Sequence, residues 1–139
     1  MTREGLVIGG NKVPLLAGSV HYWRLEPKHW RECLLATKRM GFPIIDTYVP
    51  WSVHEVSPGV LELGEQDPQR DLGAFLRLVH ELGLWAIVRP GPHINAELTC
   101  FGIPDRIIWD QACQARGPTG APVVLPMLPL AFPVPSYAS

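Results

Sequence analysis

Two rhythms of apolar and polar positions alternate along the chain. Residues 6–8 and 13–16 are short apolar runs on either side of Gly9-Gly10-Asn11-Lys12, a turn-rich connection that predicts a small hairpin. A first central strand is expected over residues 15–23, where Gly18 and Ser19 allow close packing and His21, Tyr22 and Trp23 arrive at the carboxyl end. Trp30, Cys33, Leu34 and Thr37 then recur at helical spacing between Pro27, suited to a first turn, and Gly41, suited to the residue past the last; a helix over 27–40 follows. The pattern repeats with a strand over 44–49, a loop over 50–66, and a helix over 68–82 that carries Leu72, Phe75, Leu76 and Val79 on one stripe. Asp67 can cap that helix and Gly83 stops it. A third apolar run starts at Trp85, reads as a strand buried on both faces, and ends at Arg89-Pro90-Gly91-Pro92, which cannot continue a ladder. A short helix near Pro104 is expected within 102–110. Strand, proline-opened helix, glycine stop and strand again is the pattern of βαβ units, and it demands a parallel sheet in a barrel or an open α/β fold.

In such folds ligands bind at the carboxyl edge of the sheet, because backbone and side chains converge there on a crevice. Arg89, His93, Asn95 and Glu97 fall at that edge and are the first candidates for chemistry. Asp46 and Arg89 share strand parity with Tyr48, and charges inside a sheet need partners, so these two read as a structural ion pair. His21, His54 and His93 each lie near a strand end. They contain no His-x-His or His-Glu-x-x-His spacing, so they read as hydrogen-bonding histidines, and no metal site is expected. Trp23, Trp51 and Trp85 are either a stacking platform for a ligand or core packing.

Composition narrows the partners. The 139 residues are 47% hydrophobic with a formal net charge of -1, a globular composition with no basic stripe for nucleic acid or an anionic membrane. Three cysteines, Cys33, Cys100 and Cys113, make neither a disulfide framework nor a zinc spacing, which suits a reducing compartment. Residues 1–10 lack the apolar stretch of a secretory leader, so a cytoplasmic location is the expectation.

Several segments together carry a resemblance. Gly18-Ser19-Val20-His21-Tyr22-Trp23-Arg24, Trp30-Arg31, Thr47-Tyr48-Val49-Pro50-Trp51 with His54-Glu55, Leu84-Trp85, Arg89-Pro90-Gly91-Pro92, Ala96-Glu97 and Gly102-Ile103-Pro104 stand in the order of the amino-terminal third of glycoside hydrolase family 35, the β-galactosidase family, which the chain resembles over residues 6–110. The resemblance implies the first three βα units of a (β/α)₈ TIM barrel, here preceded by the hairpin, and hydrolysis of terminal β-galactosides with retention. Retaining chemistry needs two carboxyl groups about 5 Å apart. In the family they resemble a Glu in an Asn-Glu pair after the fourth strand and a Glu after the seventh. Neither is expected within this chain, which implies no catalytic residue here, no cofactor, and inactivity of the chain alone. What the resemblance leaves is substrate binding: Tyr48 after the second strand, and Asn95, Ala96 and Glu97 after the third, offering hydrogen bonds to galactose hydroxyls. Pro92-His93-Ile94-Asn95-Ala96-Glu97 departs from the commoner Pro-Tyr-Ile-Cys-Ala-Glu around the retained carboxylate, which bears on the choice of sugar. Glu55 reads as fixing its loop.

From Gln114 onward proline recurs every few residues with almost no charge, a composition that favours extended chain over ladder or helix. The expected division is a partial barrel domain over 1–112 and a disordered tail over 113–139. Three strands of a closed barrel expose a long apolar edge. The expected partners are therefore a galactoside-type sugar and the missing part of the barrel, or another copy of the chain through that edge. A non-catalytic carbohydrate-binding or interaction fragment is the alternative.

Overall fold

The computed structural model of the chain describes residues 5–121 and 123. Strands β1 (Leu6–Ile8) and β2 (Asn11–Val13) pair antiparallel as the expected hairpin. Strands β3 (Ala17–Ser19), β4 (Ile44–Val49) and β7 (Trp85–Pro90) form a parallel sheet in that order. Helix α1 (Pro27–Arg39) connects β3 to β4, and α3 (Leu72–Glu81) lies in the connection from β4 to β7. The predicted alternation of strand and helix is therefore present, as an α/β fold with a parallel sheet. Gly18 lies so close to α1 that a Cβ there would meet Thr37 Cγ2 at 2.4 Å, which is how the small residue in β3 lets the helix down onto the sheet.

Four expectations need correction. The first strand does not run over 15–23: it covers Ala17–Ser19, its ladder extends through Val20 N–H to the Asp46 carbonyl (3.0 Å), and a 3-10 turn follows at Tyr22–Arg24. Tyr22 and Trp23 are both buried, and consecutive residues of a strand point to opposite faces, so the turn is what places both inside. The second helix is not continuous over 68–82. A 3-10 turn at Pro68–Arg70, capped by Asp67, breaks at Asp71, whose carboxylate accepts from Ala74 N–H (2.6 Å) and caps α3 itself. The loop over 50–66 holds a short helix α2 (Trp51–His54) and a hairpin of β5 (Glu55–Ser57) with β6 (Val60–Leu61). Finally, β7 is not buried on both faces; all six of its residues are exposed. Its one neighbour in the sheet is β4, so among the described residues it is an edge strand.

The core lies between the sheet and the two helices. Phe75 is fully buried, with Tyr22 tilted against it (ring centroids 5.4 Å apart) and Trp30 edge-on to it (5.5 Å). Leu34, Ile45, Val79 and Leu84 complete the packing. A smaller cluster of Ile103, Ile107 and Ile108 forms around α4 (Asp105–Ile108), the short helix expected after Pro104. The three cysteines are free, and among the described residues no helix is long and apolar enough to cross a membrane. The expected disordered tail is described only at 113–121 and 123, where Gly117 N–H donates to the Ala121 carbonyl and Val123 N–H to that of Ala115; the rest lies outside the described residues.

The loop between β6 and α3 is knotted by Glu62, a buried carboxylate to which the sequence assigns no role. Its Oε1 accepts from the N–H groups of Gln66 (2.8 Å), Asp67 (3.1 Å) and Gly64 (2.9 Å), and Arg70 Nη1 lies 3.4 Å from Oε2. These bonds, that from Gln66 foremost, hold its pKa down to about 2 from an ordinary 4.5, against the opposing effect of burial. Between pH 4.5 and about 2 the unfolded chain binds the proton and the folded chain does not. The stability Glu62 contributes is whole above 4.5 and drains away as pH falls through that window. Glu62→Gln should lower the thermal midpoint at neutral pH and flatten the acid limb of a midpoint-against-pH curve; an acid limb as steep as the original would contradict this.

Candidate functional site

The carboxyl ends of β3, β4 and β7 lie side by side at one edge of the parallel sheet, and the segment after β7 is tied back to the turn after β3, where Arg24 Nη2 donates to the Ala96 carbonyl. Along that segment Ile94 and Ala96 are buried, whereas His93, Asn95 and Glu97 are exposed. The segment is pinned at its apolar positions: Ile94 and Ala96 belong to the core, and the Ile94 N–H donates to the Phe101 carbonyl (3.0 Å). Gly102, at φ +74°, closes the return; a Cβ there would press on Ile94 (3.1 Å) and Leu98 (3.2 Å). Glu97, Cys100 and Phe101 all take left-handed backbone conformations, φ 46°, 52° and 55°. Non-glycine residues pay roughly 1 kcal/mol or more each for that region, and such strain concentrates where a loop serves a site.

The candidate binding residues are held as follows. Tyr48, at the end of β4, is half-buried, with the Arg89 guanidinium 4.0 Å above its ring and the His21 ring 5.4 Å away. Asn95 Oδ1 is 3.1 Å from His93 Nε2, and His93 stacks on Phe101 at 4.2 Å. The Ala96 carbonyl accepts from Arg24 Nη2, which also lies 4.0 Å from the Glu97 carboxylate. The Glu97 side chain is 92% exposed. Arg24 is the residue to which the sequence assigns no part. It lies in the Gly18–Arg24 motif, but the one signal for it would have been that 3-10 turn, which places its guanidinium over Trp23 (4.6 Å).

The expected Asp46–Arg89 ion pair is present at 2.6 Å, and Ser19 Oγ donates to the same Asp46 oxygen at 3.1 Å. Glu55 fixes its loop as expected: Arg106 binds it through Nε and Nη2, and Gly59 N–H donates to it at 2.9 Å, which together hold its carboxyl below the usual range, with the Arg106 bond the main cause. The histidines behave as hydrogen-bonding groups in two of three cases. His54 is buried between Tyr22 Oη (2.5 Å) and the Glu62 carbonyl (2.8 Å), and His93 faces Asn95. His21 differs: its Nδ1 is buried without a partner, and burial first, then the nearby Arg24, pushes its pKa down. Among the described residues no cluster of three or more histidine, cysteine or acidic side chains could hold a metal. Of the tryptophans, Trp23 is core, its Nε1 donating to the Tyr48 carbonyl (3.1 Å), while Trp85 starts β7 at the end remote from the carboxyl edge.

A parallel sheet with crossover helices and polar side chains at its carboxyl edge is the architecture of an α/β ligand-binding or catalytic domain. Comparison with known proteins makes the class specific. The family model of Glycosyl hydrolases family 35 matches residues 5–119, and the chain belongs to that family. The match runs past residue 112 into the first residues of the proline-rich stretch. The chain is 42% identical to the human protein described as beta-galactosidase over 115 residues, 83% of this chain and 16% of that protein. It is 40% identical over 116 residues to the exo-beta-D-glucosaminidase of Thermococcus kodakarensis, covering 82% of this chain and 15% of that protein. Among solved structures, the beta-galactosidase of the psychrophilic Marinomonas ef1 superimposes with a TM-score of 0.58 over 78% of this chain and 15% of its own, at 19% identity, which shows a common fold. The chain thus spans about one-sixth of the length of the curated relatives it matches.

Proposed function

We propose that this chain supplies the first three βα units of a family 35 glycosidase barrel and, with them, one wall of its sugar site. The site would take the non-reducing terminal sugar of a β-galactoside, and the complete barrel would cleave the bond with retention. The observation that carries this reading is the state of the carboxylates. Asp46 is committed to Arg89 and Ser19, Glu55 to Arg106, and Glu62 to main-chain N–H groups, while the Glu97 side chain is 92% exposed with Arg24 no nearer than 4.0 Å. A carboxylate, an amide (Asn95) and a phenol (Tyr48) following the ends of neighbouring strands suit recognition of vicinal hydroxyls, since each can accept or donate where a hydroxyl needs a partner. The pair of closely spaced carboxyl groups needed for retaining hydrolysis is assigned to parts of the barrel outside this chain.

Titration of the chain with methyl β-D-galactoside, followed by NMR, tests the reading, with p-nitrophenyl β-D-galactoside as the hydrolysis probe. Binding without hydrolysis is expected, and Glu97→Gln should weaken it about tenfold or more, the range of a hydrogen bond to a charged group. Absence of sugar binding would remove the site, and hydrolysis by the chain alone would place the reacting carboxylates within it. Methyl β-D-glucosaminide belongs in the same titration, because the two relatives bear the names of enzymes for different sugars. The open edge of β7 favours a second reading, in which the chain is an interaction fragment whose partner continues the sheet.

A further inference from the structure

The register of the sheet places Ser19 opposite Asp46 across β3 and β4, and Tyr48 opposite Arg89 across β4 and β7. Asp46 and Tyr48 are two residues apart on one strand and so face the same side. Their side chains are joined in sequence: Ser19 Oγ donates to Asp46 Oδ2 (3.1 Å), Arg89 Nη2 donates to the same oxygen (2.6 Å), and the Arg89 guanidinium carbon lies 4.0 Å from the centre of the Tyr48 ring. We propose that Arg89 is a positioning residue for Tyr48, its guanidinium aimed by Asp46 so that the ring is held at the angle at which its hydroxyl meets the sugar. The inference rests on the sugar-site reading above.

Stability accounts for only part of this arrangement. Six residue pairs of main chain already align β4 with β7, and the buried Asp46 carboxylate needs a cation beside it, a need that any positive charge at position 89 would meet and that does not call for a planar guanidinium laid on the Tyr48 ring. What the pair adds is direction. A phenol on a half-buried side chain can turn about two bonds, and a planar cation fixed at one end by a carboxylate restricts the ring through its face. Lysine keeps the charge but presents a compact ammonium in place of the planar group, so Arg89→Lys separates orientation from charge. His21, tilted against the same ring, packs the ring from a further direction and leaves Arg89 as the one cation stacked on it among the described residues.

The experiment uses the full chain, methyl β-D-galactoside as probe, and NMR of labelled tyrosine. Arg89→Lys should weaken binding about tenfold, the range of a partly desolvated cation–π contact, with a thermal midpoint close to the original. It should also move the ring signals of Tyr48 while leaving those of Tyr22 in place. In a Tyr48→Ala background the same change should have no further effect on affinity. Ser19→Ala, which removes one of the two bonds on Asp46, should give a smaller change in the same direction. Unmoved Tyr48 signals in Arg89→Lys, or losses that add independently in the double variant, would overturn the proposal. If the unmodified chain binds no sugar, the sugar site itself fails, and the Tyr48 signals then decide the Arg89 contact by themselves.

Discussion

His54→Ala is expected to destabilise the chain by about 3–5 kcal/mol, because it orphans two buried partners at once and an unsatisfied buried polar group costs about 1–3 kcal/mol. The imidazole is 2% exposed and bridges Tyr22 Oη at 2.5 Å to the Glu62 carbonyl at 2.8 Å. Removing it strips the phenol of its partner within the core and frees the carbonyl at the start of the Glu62 knot. Both ends of the bridge matter for the candidate site. Tyr22 opens the turn that carries Trp23 and Arg24, and Glu62 anchors the loop that leads into α3. His54→Gln, which can keep one of the two bonds, should lose less. Urea unfolding of the three proteins checks the order; an alanine variant within about 1 kcal/mol of the original would mean that water or repacking satisfies both groups.

The second large effect is at Phe75. Truncation to alanine should cost about 3–5 kcal/mol, the usual range for a buried phenylalanine whose site cannot collapse. Collapse is blocked because Tyr22 and Trp30 hold their own hydrogen bonds, Tyr22 to His54 and Trp30 Nε1 to the Tyr22 carbonyl at 3.1 Å, and cannot swing into the void. In a domain of this size the thermal midpoint should fall by more than about 10 °C. Phe75→Leu, with most of the volume retained, should lose less than half as much. Equal losses in the two variants would show that the aromatic contacts with Tyr22 and Trp30, rather than volume, carry the stability.

Much of the architecture was legible in the chain because its signals are local. Trp30 and Leu34 on one stripe, Pro27 at the start and Gly41 past the end specify α1 without reference to anything distant, and the observed helix ends one residue from the expected limit. The Asp46–Arg89 pair was legible through strand parity, since two charges on the same side of adjacent strands leave few alternatives. The family was legible from several short motifs in fixed order, and the comparison over residues 5–119 agrees.

What local pattern did not reveal was where backbone departs from regular geometry to satisfy a distant group. Tyr22 and Trp23 look like the end of a strand until the core beneath Phe75 takes both rings, which forces a 3-10 turn and turns Arg24 toward Ala96, 72 residues away. Asp71 looks like any polar residue of a helix until its carboxylate claims the Ala74 N–H and restarts the helix there. Glu62 sits in a polar loop, and nothing in its neighbours announces a buried carboxylate ringed by N–H donors. Trp85-Ala86-Ile87-Val88 has the composition of a fully buried strand, yet burial is a property of what lies alongside, and among the described residues β7 has a neighbour on one side only. Sequence alone determined the alternation of the three parallel strands with their two crossover helices, the family, and which side chains stand at the carboxyl edge. Tertiary structure decided which of those side chains are already spoken for, because hydrogen bonds between residues far apart in the chain leave no trace in periodicity or composition.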